Sequence, residues 1–289
     1  VYRPILTLRD LATYVHDDQL YQAYLNAALL LLSEGFAADE GIPYHGSHNR
    51  APFAVFGGPH LLTMLTEVSA LALRAVRFQK FSVHRRLRPE GMGARYHTVL
   101  SGYDPSGTGA FGAGATEAQA RSILAGTLAP TLLTAGQVDA GLYKTLEEVR
   151  LANDARGVSG SWLLPMAFPE GSPMHPSYGA GHATVAGACV TVLKAFFEMG
   201  VSGSRVVLSE PSNGRDALVV VGNDKAATAP PVAPLRASLS LVGELNILAW
   251  NIANGRNMAG VHYFTDSIES LMLGEAMALG ILREQTSAY

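Results

Sequence analysis

A few residues in this chain have the types and spacing to hold and process a multiply charged anion. Lys80 and Arg88 lie eight positions apart at the end of a long apolar stretch. Gly181-His182 opens another such stretch. The third cluster is Gly255-Arg256-Asn257-Met258-Ala259-Gly260-Val261-His262, followed by Asp266. Arginine suits paired oxygens, and lysine acts as a point charge. A histidine beside an anion can give or take a proton near neutral pH. Lys80, Arg88 and Arg256 could together neutralise a tetrahedral oxyanion such as phosphate or vanadate. His262 could bond to its central atom while His182 handles protons. His262 and Asp266 are four apart, so a carboxylate can orient the ring on a helix.

The elements that must position these groups read as helices. The segment Ser172–Gly200 has small residues and proline first, then Gly179-Ala180-Gly181-His182, then an apolar run from Ala183 to Met199. That is a Gly-rich loop feeding a buried helix with His182 in its first turn. The first N–H groups of a helix lack internal partners, which suits an anion. Further helices are expected at Asp17–Glu34, with acidic residues at its start, and at His60–Phe78 after Pro59. Others are expected at Glu117–Leu128, Leu142–Asp154, Leu235–Ile252 and Tyr263–Arg283. Arg256 and His262, six apart, would point from different faces of a continuous helix; Gly255 and Gly260 suggest a break over Asn254–Val261 that turns both toward one point. Arg205–Ser209 and Ala217–Val221 are short β-branched runs and suggest one hairpin. The expected fold is all-α, a large helical-bundle domain with one small β-hairpin, and a single domain over 1–289.

Totals exclude several classes. The chain has 289 residues, 48% hydrophobic and 16% charged, with a net charge of −3. A sizeable core is available, and nothing suggests a nucleic-acid partner. The one cysteine, Cys189, excludes an intramolecular disulfide. No apolar run is long enough to span a membrane. The chain starts at Val1, so a truncated N-terminus is expected; localisation stays open, with a secreted or periplasmic protein among the options.

Lys-x7-Arg-Pro, then Gly-His, then Gly-Arg-x5-His-x3-Asp, in that order, resembles the vanadium-dependent haloperoxidases and the acid phosphatases that share their signature. The resemblance covers roughly Pro52 to the C-terminus. The phrases FGGPHLL, VHRRLRPE, HPSYGAGHATVAGA and NGRNMAGVHYFTDS look most like the algal and cyanobacterial bromoperoxidases. The resemblance implies a vanadate cofactor, with phosphate as an alternative occupant. Lys80, Arg88, Arg256 and the Gly181 amide would hold its oxygens, and His262 would be the metal ligand. His182 would be the acid–base residue, and Lys80 would polarise bound peroxide. His175 matches a position that is histidine in bromoperoxidases and typically phenylalanine in fungal chloroperoxidases. Hydrogen peroxide, halide and organic molecules would be the substrates, and a homo-oligomer the assembly.

One position departs from the pattern. Ala180 stands where the family usually has serine. A lost hydrogen bond to a charged group costs roughly 1.5–3 kcal/mol, which would weaken vanadate binding about 10- to 150-fold. Two other readings compete: a phosphomonoesterase with His262 as nucleophile and His182 as proton donor, and a non-catalytic helical assembly protein. In the plainest reading, Lys80 and Arg88 are a solvated helix end and His262–Asp266 a structural pair.

Overall fold

The computed structural model describes residues 5–101, 143–199 and 240–288. The chain divides into two compact units, one formed by residues 1–85 with 178–289 and the other by residues 86–177. The described residues are mostly helical and contain no sheet. The expected hairpin at Arg205–Val221 and the helix at Glu117–Leu128 fall outside the described residues.

The first unit is built around α6 (Gly181–Phe196), which is apolar on every side. Every residue from Ala183 to Leu193 is buried, the pattern of a helix enclosed by others. It is enclosed by α3 (Gly58–Phe78), α7 (Leu241–Met258) and α8 (Phe264–Ala288), with α2 (Gln22–Ser33) packed on both α3 and α6. The core includes Leu61, Leu65 and Val68 of α3, Val185, Val192 and Leu193 of α6, and Leu245 and Ile252 of α7.

Among the described helices, the contact between α6 and α8 is the most extensive. Two glycines explain it. A Cβ at Gly274 would lie 2.0 Å from the Thr184 carbonyl oxygen, and one at Gly187 would lie 2.1 Å from the Leu271 carbonyl oxygen. The two helices therefore touch backbone to backbone, an approach that no larger residue permits.

Helix α1 (Leu8–Tyr14) is a short helix with no counterpart in the sequence expectations. A capping box starts it: Asp10 N–H donates to Thr7 Oγ1 and Thr7 N–H to Asp10 Oδ2. It packs on α7 at Gly255, where a Cβ would come within 2.8 Å of Val15 Cγ2. Gly255 is thus a contact glycine within a continuous helix, and α7 runs on to Met258. The turn comes later, at Gly260, where φ is +80°. The second expected helix also starts later than Asp17: residues 17–21 are irregular, and the helix begins at Gln22.

The second unit contains α4 (Pro89–Leu100), α5 (Tyr143–Asp154) and the irregular segment 155–177. Polar bonds tie it together. The Asn153 amide donates to the carbonyls of Ser161 (3.0 Å) and Leu163 (2.8 Å). Trp162 N–H donates to His97 Nδ1 (3.2 Å). Arg150 bridges Glu147 and Asp154 on one face of α5.

Candidate anion-binding active site

In the first unit, four elements meet around the start of α6. A Cβ on Gly181 would touch Leu73 of α3 and Leu20 of the segment before α2. Ala180 and Ala183 pack on Ala253 of α7 and on Leu271 of α8. Two of these contacts lie close in sequence to a candidate group: Leu73 is seven residues before Lys80, and Ala253 is three before Arg256.

Lys80 sits in a π-helical turn, Gln79–His84, that continues α3, and only 3% of it is exposed. The turn ends at Arg85, whose φ of +48° is left-handed. A buried ammonium requires compensation by partners or charge.

Arg256, in the last turn of α7, is buried. One terminal nitrogen donates to the Val15 carbonyl (2.9 Å). Its Nε is buried and has no hydrogen-bond partner among the described residues. Burial lowers its pKa from the usual arginine range, and the Asp18 carboxylate opposes that shift.

His182 occupies the first turn of α6. Its Nε2 bonds Asp18 Oδ1 at 2.7 Å, across 164 residues of sequence. Asp18 is almost fully enclosed, and His182 largely so. A carboxylate on Nε2 fixes the ring and leaves Nδ1 as the nitrogen that can exchange a proton. The residues Val15 and Asp18 thus form a strap that serves Arg256 and His182 together. Neither was singled out by sequence reasoning, because only the fold brings them there. Asp18 had read as a helix-start charge; the sole available signal was an acidic residue in a chain with few charges.

His262 follows the Gly260 turn. Its Nδ1 bonds Asp266 Oδ2 at 3.0 Å, and both side chains are buried. The same oxygen accepts the Tyr263 N–H (3.1 Å). Asp266 therefore fixes the imidazole and directs Nε2 away from the pair, as carboxylates do for metal-bound histidines.

Gly181 begins α6, with Ala180 as its N-cap and no side-chain cap bond. The first amides of α6 have no partner within the helix, and the dipole makes this end positive.

Arg88 and His175 belong to the second unit and are linked to each other there. Arg88 Nε donates to the His175 carbonyl (2.9 Å), and a terminal nitrogen lies 3.0 Å from His175 Nδ1. Arg88 is buried, unlike a solvated helix end.

By charge alone, Lys80, Arg256 and the N-terminus of α6 in the first unit suit a tetrahedral oxyanion. Cationic side chains, a helix N-terminus and an orphaned buried N–H all have the sign that an anion needs. Among the described residues, no group of three or more His, Cys, Asp or Glu side chains is arranged to hold a bare metal cation.

No family model matches the chain. Two vanadium-dependent bromoperoxidases, from Corallina pilulifera and Corallina officinalis, are 43% and 42% identical over 300 and 297 aligned residues. Each alignment takes in 99% of this chain and 44% of the relative. A vanadium-dependent bromoperoxidase from Ascophyllum nodosum is 32% identical over 289 residues, 99% of this chain and 45% of the relative. Among solved structures, the homohexameric second vanadate-dependent bromoperoxidase of Ascophyllum nodosum superposes with a TM-score of 0.65 at 29% identity. That match covers 96% of this chain and 43% of the other. The similarity therefore extends well before Pro52, and it takes in the α1 strap. The chain spans less than half the length of these relatives. In sequence and in helical fold, it is a homologue of the vanadium-dependent bromoperoxidases over nearly all of its own length.

Proposed function

We propose that this chain carries the vanadate site of a bromoperoxidase that oxidises bromide with hydrogen peroxide and halogenates organic molecules. The observation that carries the reading is Arg256: a buried guanidinium with an orphaned Nε, under the influence of the same Asp18 carboxylate that anchors His182. A buried N–H left without an acceptor is costly unless a ligand oxygen completes it. The identity to named bromoperoxidases supports the same reading and does not favour the phosphatase alternative.

Vanadate, when bound, would act as a Lewis acid that activates peroxide without changing oxidation state. The chain's own residues have distinct tasks. Lys80 and Arg256 supply fixed positive charge, preorganised around the oxygens. The Gly181 amide donates from the N-terminus of α6. His182, held at Nε2 by Asp18, takes up or returns a proton at Nδ1. His262 presents Nε2 as the ligand nitrogen, its other nitrogen held by Asp266. Arg88 joins this set through its place in the sequence motif, and His175 as the residue that holds Arg88. Assembly into a homo-oligomer is proposed as well, since the solved relative is a homohexamer. Among the described residues no helix is long and apolar enough to cross a membrane.

The test is reconstitution with vanadate followed by metal analysis, bromination of a dye with peroxide, and p-nitrophenyl phosphate hydrolysis. Vanadate-dependent bromination is expected. Phosphate-ester turnover with no bromination would overturn the reading in favour of the phosphatase.

A further inference from the structure

We propose that Ser270 of α8, which lies in none of the sequence motifs, is a positioning residue for the anion-binding loop. This rests on the functional reading above. The Ser270 hydroxyl accepts the Ala180 N–H at 2.7 Å in a fully enclosed setting. The same peptide segment is held from the other side. The Ala180 carbonyl accepts both the Thr184 hydroxyl (2.8 Å) and the Thr184 N–H (2.9 Å). Ala180 thus has its donor and its acceptor both bound, one by α8 and one by α6.

The backbone-to-backbone contact of α6 with α8 makes this reach possible. Gly274 is four residues beyond Ser270, and its lack of a side chain brings α8 against Thr184. Ser270 then arrives one turn earlier, opposite the loop. Gly179 confirms the tightness: a Cβ there would fall 2.6 Å from Ser270 Oγ. The serine oxygen occupies the space that a side chain at 179 would need.

The consequence concerns the next residues. With the Ala180 N–H committed to Ser270, the amides that follow at the helix start are the ones left to face an anion. Ser270 sets the height and direction of the Gly181 amide and of His182. This matters more here because Ala180 has no hydroxyl of its own to help fix the loop.

The experiment measures vanadate affinity by equilibrium dialysis and Ala180 amide exchange by NMR, on the full chain. Ser270→Ala should speed exchange at Ala180 and weaken vanadate binding about tenfold, the size typical of removing an outer-shell partner. Ser270→Thr, which keeps the oxygen, should retain wild-type affinity. Should Ser270→Ala fail to fold, Ser270→Cys, a poorer acceptor, makes the same comparison. A purely structural serine would lower the melting temperature and leave affinity untouched, and that result would overturn the positioning role alone. Wild-type protein that binds no vanadate would overturn the functional reading, and this role with it.

Discussion

The two histidine–carboxylate pairs of the first unit make an instructive contrast. His262 and Asp266 sit four residues apart, at the entry to one helix. His182 and Asp18 are separated by 164 residues and come from different parts of the chain. Both place a carboxylate on one ring nitrogen. The local pair is set by helix geometry, since residues four apart share a face. The distant pair exists only because α1 docks on α7 at Gly255 and carries residues 15–18 across the first turn of α6. The geometry of the proposed ligand is therefore encoded locally, while that of the proposed proton carrier depends on tertiary packing.

Breaking the ligand should have the largest effect. His262→Ala removes the proposed metal ligand, and the expected outcome is loss of vanadate after dialysis, read by metal analysis. Next comes the distant carboxylate. Asp18→Ala should leave vanadate bound but lower bromide oxidation by about 10- to 100-fold, because His182 loses its orienting partner. The local carboxylate sharpens the contrast: Asp266→Asn should weaken vanadate affinity by a comparable factor of about 10–100 and spare the turnover of whatever is loaded. A smaller effect is structural. Gly274→Ala forces a methyl against the Thr184 carbonyl and should cost about 1–3 kcal/mol in denaturant unfolding. The smallest change is a gain: Ala180→Ser should tighten vanadate binding by about tenfold, the low end of the loss expected for the missing hydroxyl.

Much of this was legible in the sequence where local rules suffice. The helix of Gly181–Phe196 is visible because its apolar residues recur at helical spacing and a Gly-rich loop leads into it. The His262–Asp266 pair is visible from its spacing alone. Gly255 was misread as a break because a glycine in a helical pattern can mean either a bend or a close contact, and only the neighbour, Val15, decides. Asp17 and Asp18 read as helix-start charges, yet the helix begins at Gln22 and Asp18 bonds His182 instead. Ser270 carries no pattern at all; its role depends on how near α8 lies to α6.

The most direct measurement is vanadate binding to the wild-type chain and to Arg256→Ala, by metal analysis after dialysis. Stoichiometric vanadium in the wild type and little in the variant is the result expected of a buried guanidinium whose partner is the anion. Equal vanadium in both, or none in either, would contradict it.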